Sequence, residues 1–173
     1  MGALFGLFIL VGLMLPNKML VQQSVGIDAP PERIFPFVNN LKEFNRWAPW
    51  SGQDNPVYFN YSGPDSGIGA RMTWSNDDGG SQTGSQEIIQ SNSPSQVTFS
   101  VDFGPQGAAT TAFELEATTT GARVTWRFDY EIGYDLVGRY IGAMMEGAMD
   151  KRYAMGLARL KELVETGSIE TVR

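Results

Sequence analysis

Residues 136–165 of this 173-residue chain, "LVGRYIGAMMEGAMDKRYAMGLARLKELVE", are the most informative about its fold. The apolar residues of this stretch recur every three to four positions, which predicts one long amphipathic helix. Asp135 is placed to cap the first turn, and no proline interrupts the run. The predicted apolar stripe consists of Val137, Ile141, Met144, Met145, Ala148, Met149, Gly156, Leu157, Leu160 and Val164.

Segments of alternating hydrophobicity precede this helix. Apolar residues occupy alternate positions in residues 19–28, and the same alternation recurs in successive segments from residue 56 to residue 132. This period of two is typical of strands that bury one face of a sheet and expose the other. Short turn sequences separate the segments, most clearly "DDGG" at 77–80, and they predict an antiparallel meander.

Two short helices are predicted between the first strand and the rest of the sheet. Pro30 and Pro31 suit the start of the first helix, where a proline loses no hydrogen bond, and Asn40 can cap the second. A sheet with one apolar face needs a cover, and only the C-terminal helix is long enough to provide it. The predicted fold is therefore α+β: a curved antiparallel sheet wraps around a long C-terminal helix, and a ligand cavity is expected between them.

A hydrophobic segment, residues 1–18, stands ahead of a single predicted domain at residues 19–166, and residues 167–173 form a tail. Residues 3–15 carry no charge, but a helix of that length spans only about 20 Å of a hydrocarbon core about 30 Å thick. A short membrane anchor, and hence a membrane location, is the favoured interpretation. An atypical signal segment, a helix packed on the domain or on a partner chain, and a soluble cytoplasmic protein are the alternatives.

The composition excludes several classes of function. The chain contains neither cysteine nor histidine, so disulfides, thiol nucleophiles, Ser-His-Asp catalysis and the usual zinc sites are impossible. We therefore expect no metal and no cofactor. The formal charge of −6 argues against nucleic acid as a partner, because affinity for phosphates comes largely from lysine and arginine.

Acid–base chemistry would have to use carboxylates, lysine or tyrosine. The candidates are Asp54, Glu87, Asp129 and Tyr130, and Arg71 is a candidate for holding a carboxylate or phosphate. For all the charged candidates, a solvent-exposed surface charge is the simpler interpretation. Asp129, for example, shares the polar face of its strand with Arg127.

Large apolar side chains are the candidate ligand contacts. Trp47 and Trp50 flank Pro49, and they either pack the short helices on the sheet or line the entrance of a cavity. The methionines of the long helix suit a surface that adapts to varied apolar shapes, although filling gaps in the core explains them as well. The predicted ligand-binding residues are Trp47, Trp50, Trp74, Phe99, Phe113, Trp126, Phe128, Tyr130, Met144, Met145 and Met149.

These segments, in this order, resemble the START-like, helix-grip (SRPBCC) superfamily, which includes Bet v 1 and the polyketide cyclase/dehydrase and lipid-transport proteins. The resemblance extends over residues 19–166. It is carried by "IDAPPERIFPFVNNLKEFNRWAPW" (27–50), "YSGPDSGIGARMTW" (61–74), "EIIQSNSPSQVTF" (87–99), "TGARVTWRF" (120–128) and "YAMGLARLKELVE" (153–165).

The resemblance implies a protein that binds or transports a hydrophobic small molecule, lipid- or polyketide-like, between the sheet and the long helix. It supplies no catalytic signature, so an enzyme is the less favoured interpretation. One alternative is a cyclase or dehydrase that uses acid–base groups in the same cavity. The other is a membrane-anchored interaction module without a ligand, which would use residues 3–15. The oligomeric state stays open.

Overall fold

A computed structural model describes residues 2–50, 57–76 and 83–169 of the chain. Four α-helices and seven strands lie in these ranges. The helices are α1 (Gly2–Met14), α2 (Pro31–Val38), α3 (Leu41–Trp47) and α4 (Leu136–Thr166). The strands are β1 (Lys18–Ile27), β2 (Val57–Ser62), β3 (Arg71–Asn76), β4 (Gly84–Asn92), β5 (Gln96–Asp102), β6 (Ala108–Ala117) and β7 (Ala122–Glu131).

The strands form one seven-stranded antiparallel sheet in the order β1-β7-β6-β5-β4-β3-β2. Consecutive strands from β2 to β7 pair with one another. Strand β1 pairs with β7 and so forms the edge opposite β2, with a register that runs from Lys18 opposite Glu131 to Ile27 opposite Ala122. The register of β4 shifts between Ile88 and Gln90, and such a bulge bends a strand. The predicted meander is confirmed.

Helix α4 covers one face of this sheet, which we call the inner face, and runs beside β1 in the same direction. The Lys161 ammonium donates to the Gly26 carbonyl at 2.8 Å, and the Glu165 carboxylate accepts from the Asp28 amide at 2.8 Å. Gly156 allows close approach, since a Cβ there would lie 3.0 Å from both Pro49 Cδ and Trp126 Cζ3. The predicted α+β helix-grip fold is therefore confirmed.

The two short helices begin as the sequence indicates. Pro31 lies in the first turn of α2, and the Asn40 side chain accepts hydrogen bonds from the amides of Lys42 and Glu43 at the start of α3. Asp135 precedes α4 in an extended conformation, but its side chain makes no capping hydrogen bond. The predicted cap of α4 is therefore wrong in that detail.

The predicted stripe of α4 is correct only for its second half. Leu157, Leu160 and Val164 are buried, whereas 83% of Met144 and 49% of Met145 are exposed, as are Val137 and Ile141. In the first half Arg139 and Gly142, three residues apart, are buried, and Met149, seven residues further along, is half-buried. The apolar residues between them therefore lie on a different side of the helix.

Helix α1 packs on the start of α4. The buried Arg139 guanidinium donates to the carbonyls of Gly12, Leu13 and Leu15, and the Phe8 ring stacks on Tyr140 with centroids 4.7 Å apart. Among the helices of the described ranges, none is long and apolar enough to cross a membrane. The favoured expectation of an anchor through residues 3–15 is therefore not supported. The end of α1 contacts α4, whereas Leu7, Leu10, Leu13 and Met14 of this helix stay exposed.

Candidate ligand site on the inner face of the sheet

A cluster of aromatic rings joins α3 to the middle of the inner face. The side chains of Trp47, Phe99, Phe113 and Trp126 are almost completely buried, and Trp126 stacks on Tyr153 of α4 with ring centroids 3.9 Å apart. Ring centroids within the cluster lie 5 to 6 Å apart, mostly edge to face, as aromatic packing prefers. These rings therefore serve the core of the free protein.

The polar atoms of this cluster are paired. Trp47 donates through Nε1 to the Phe37 carbonyl at 3.0 Å, and Trp126 donates to the Thr111 hydroxyl at 2.8 Å. Burial raises the pKa of the Tyr153 hydroxyl, and its hydrogen bond with Thr111 opposes this shift only in part. Tyr153 is therefore a neutral phenol at physiological pH, and the cluster is suited to packing.

A second set of aromatic side chains crosses the inner face near the start of α4. We call these four rings, those of Trp74, Phe103, Phe128 and Tyr130, the aromatic row. The centroids of successive rings lie 6.1, 6.4 and 6.5 Å apart in that order. Phe128 is buried, whereas the other three are half-buried. Met149 of α4 and Phe59 of β2 are also half-buried against the core.

Small and polar residues lie beside the aromatic row on the same face. Reading across the sheet, Met72 is opposite Gln86, Gln86 opposite Val101, Val101 opposite Ala109, and Ala109 opposite Tyr130. We call Gln86, Val101 and Ala109 the floor, and all three are buried. Neighbouring strands lie about 4.8 Å apart, so the floor is roughly 10 Å wide.

Glycine at position 84 explains how Trp74 reaches the floor. Gly84 is opposite Trp74 in the β3–β4 ladder and precedes Gln86 by two residues, on the same face. A Cβ at Gly84 would overlap the Trp74 indole ring and lie 2.7 Å from the Asp102 carbonyl. The indole therefore lies across the β4 backbone next to Gln86.

The Nε2 atom of Gln86 has no hydrogen-bond partner in the described residues. Among them it is the single buried side-chain nitrogen or oxygen in this state. The other polar side chains of this region are paired: Gln23 donates to Asp150 at 3.2 Å, and Asn45 donates to the Tyr61 hydroxyl at 2.8 Å. Because buried amides are normally satisfied, Gln86 is the unusual group of the inner face.

Three of the predicted acid–base and anion-binding side chains, those of Arg71, Glu87 and Asp129, lie away from the aromatic row, whereas Tyr130 belongs to it. Arg71 pairs with Glu87 at 3.0 Å, and Arg127 pairs with Asp129 at 2.8 Å. By strand alternation, both pairs lie on the outer face. The Tyr130 hydroxyl donates to the Gln106 carbonyl. Asp54 lies outside the described residues.

The predicted ligand contacts thus divide into three groups. Trp47, Phe99, Phe113, Trp126 and Phe128 are buried, Trp50, Trp74, Tyr130 and Met149 are half-buried, and Met144 and Met145 are exposed. Phe59, Gln86 and Phe103 are absent from the predicted set. Alternation with Ile88 places Gln86 on the inner face, and Phe103 continues the alternation of β5, so both carried a usable signal.

A surface depression of about 560 Å³ lies at the opposite end of the sheet from the aromatic row. It lies between the start of α2 and the β6–β7 turn and includes Pro31, Leu115 and Gly121. A second depression of about 300 Å³ adjoins it, and a third of about 80 Å³ lies beside α3. None of these three contains a predicted ligand-binding residue.

The model of the family "Polyketide cyclase / dehydrase and lipid transport" matches residues 18–165. The chain belongs to this family. The match begins with β1 and ends in the last turn of α4, so it includes the aromatic row and the floor. Membership in the polyketide cyclase/dehydrase and lipid transport family implies a hydrophobic small molecule as ligand. No curated protein matches the sequence.

Solved structures share the fold of this family member at low identity. A protein from Chromobacterium violaceum is 18% identical, with a TM-score of 0.62, and the match covers 87% of this chain and 99% of that one. A protein from Rhodobacter sphaeroides is 13% identical, with a TM-score of 0.61 and coverages of 87% and 94%.

DynU16, from the dynemicin biosynthetic locus, has the same fold. It is 16% identical with a TM-score of 0.59, and the match covers 87% of this chain but 48% of DynU16. The chain therefore spans about half the length of DynU16. At such identities these likenesses show the fold alone.

Proposed function

We propose that this protein binds and carries a hydrophobic small molecule, lipid- or polyketide-like, on the inner face between the aromatic row and the floor. The observation that carries the proposal is the half-buried aromatic row beside small residues. Trp74, Phe103 and Tyr130 keep part of their apolar area in contact with water, and a ligand that covered them would bury that area. Family membership supports the same ligand class.

The first half of α4 offers a way in. This half presents Gly142 and Met149 to the domain, whereas the second half presents leucines and a tyrosine. Glycine contributes no side-chain contacts, and methionine adapts its shape readily. We therefore expect the segment from Gly142 to Met149 to move when the ligand enters, while Tyr153 and the residues after it stay packed.

A carrier agrees better with the site than a cyclase. Acid–base catalysis needs a titratable group within hydrogen-bonding reach of the ligand. Glu87 and Asp129 are paired with arginines on the outer face, and the pKa of Tyr153 is raised by burial. The polar side chain of the floor, Gln86, carries a neutral amide, which suits binding without turnover.

The proposal is tested by titrating the protein with 1-N-phenylnaphthylamine, whose fluorescence rises in apolar sites, together with native mass spectrometry for retained ligand. Trp74→Leu is expected to weaken binding about five- to tenfold, since an aromatic contact contributes roughly 1 kcal/mol beyond its area. Tyr58→Leu is the matched control, because Tyr58 is an exposed aromatic residue on the neighbouring strand β2.

Two outcomes would contradict the proposal. A wild-type protein that neither binds the dye nor retains any ligand would show that no hydrophobic site exists. Equal affinities of the Trp74→Leu and Tyr58→Leu variants would show that the site lies away from the aromatic row.

A further inference from the structure

Gln86 lies in the centre of the inner face, between Met72 of β3 and Val101 of β5. Only 4% of its surface is exposed, and its Nε2 finds no acceptor within the described parts of the chain. An unpaired buried donor destabilises a folded protein, and the large majority of buried polar groups avoid this state. The position therefore needs an explanation that packing does not provide.

Its neighbours do not supply a partner. The nearest polar side chains beyond Met72 are Asn45 and Tyr61, which bind one another at 2.8 Å. Asn45 also donates to the Met72 sulfur and accepts from Trp50. A buried water needs two to four polar partners. Met72 and Val101 lie opposite Gln86 in the two ladders, and both offer only apolar side chains.

We propose that Gln86 Nε2 donates a hydrogen bond to a neutral carbonyl oxygen of the bound ligand, whose apolar body lies against Trp74. This inference rests on the proposed function and adds the chemical class of the ligand: a hydrophobic ketone, ester or amide. Val101 and Ala109 beside Gln86 are small, so the ligand body would displace little side-chain volume on the floor itself.

A carboxylate fits the site less well than a neutral carbonyl. Arg71, the arginine nearest in the β3–β4 ladder, points to the outer face, where it binds Glu87 and Ser85. One neutral amide cannot compensate the desolvation of a buried anion. The same site should therefore prefer a ketone over a carboxylate of equal size.

The experiment compares three naphthalene probes of similar size: 2-acetylnaphthalene, 2-ethylnaphthalene and 2-naphthoate. The wild-type protein is expected to bind the ketone about five- to tenfold more tightly than the naphthoate. Gln86→Met keeps the volume and removes the donor, so it should weaken ketone binding about five- to tenfold and leave binding of the hydrocarbon unchanged, because only the ketone accepts the hydrogen bond. Gln90→Met, an exposed position on the same strand, is the matched control.

Infrared spectroscopy of the bound ketone gives a second readout. A hydrogen bond from Gln86 lowers the carbonyl stretching frequency, and the shift should be present in the wild type and in Gln90→Met but absent in Gln86→Met. Gln86→Leu serves in its place if the methionine variant does not fold, as judged by circular dichroism.

The outcomes separate this inference from the proposed function. A ketone affinity that Gln86→Met leaves unchanged, or a loss that the hydrocarbon shows equally, would overturn the assignment of Gln86 and leave the hydrophobic site intact. Tighter binding of naphthoate would overturn the neutral-carbonyl class. Failure of all three probes and of the dye to bind the wild type would overturn the proposed function, and this inference with it.

Discussion

Replacing Arg139 with methionine is expected to release α1 from the domain. The Arg139 side chain is 93% buried and contacts no carboxylate among the described residues. It donates twice to the Gly133 carbonyl, at 2.7 and 3.0 Å, and through Nη1 to three carbonyls at the end of α1, at 3.3 to 3.4 Å. The last carbonyls of a helix lack partners within the helix and carry its negative dipole end, so a cation suits them.

The magnitude follows from this geometry. The three bonds to α1 are long and share one nitrogen, so together they count as about one charge-assisted hydrogen bond, roughly 1.5–3 kcal/mol. Removing a buried cation returns part of its desolvation cost. We therefore expect the free energy of unfolding to fall by about 1–3 kcal/mol and Tm to fall by roughly 2–10 °C. The docking of α1 should weaken about ten- to hundredfold.

Hydrogen exchange read by mass spectrometry measures the docking directly. The amides of α1 should exchange about ten- to hundredfold faster in Arg139→Met, while those of β6 and β7 keep most of their protection. Arg152→Met is the control, because Arg152 is an exposed arginine on the same helix. If α1 exchanges equally fast in the two variants, Arg139 does not hold α1 and the reasoning is wrong.

Three further outcomes are expected. Gln86→Met should raise the free energy of unfolding in urea by about 1–2 kcal/mol, because it removes an unpaired buried donor at nearly constant volume; a loss would contradict this. Gly147→Ala should stabilise α4 by about 0.5–1 kcal/mol, since a Cβ there meets nothing within 4 Å. Gly156→Ala should give no such stabilisation, because its Cβ would crowd Pro49 and Trp126. Equal Tm changes in the two variants would refute the close approach. The hydrogen bond from the Asp28 amide, and to a smaller extent Lys161, lower the pKa of Glu165 from its ordinary value of 4.5. The carboxylate therefore stabilises the fold fully above pH 4.5, and this stabilisation is lost as the pH falls through the lowered pKa. Glu165→Gln should therefore be less stable than the wild type at pH 7 and equally stable near pH 2, and a difference independent of pH would contradict this.

Periodicity was sufficient for the elements and their order. The alternation in β7 and the turns between strands specified an antiparallel sheet, because side chains on a strand change face at every residue. The same argument assigned Trp126 and Phe128 to the inner face, where the structure has them. The Asn40 cap of α3 was equally readable, since it depends only on neighbouring residues.

The interpretation of the N-terminal segment depended on a contact that no local pattern contains. Apolar composition alone favoured a membrane anchor, whereas the last carbonyls of α1 meet Arg139, more than 120 residues away in sequence. In the sequence Arg139 looks like a charge interrupting an apolar stripe. Its burial becomes explicable once α1 provides the carbonyls.

Periodicity along the chain was enough to predict which residues form α4 and the strands, and which side chains share a face of the sheet, because both follow from repeated backbone geometry. Which side of α4 is buried depended on contacts between distant elements: Gly156 allows contact with Trp126, and Met144 is exposed. The tertiary structure also distinguished core rings from the aromatic row and left Gln86 without a partner. These properties depend on what covers each residue, and that cover comes from elements far away in the chain.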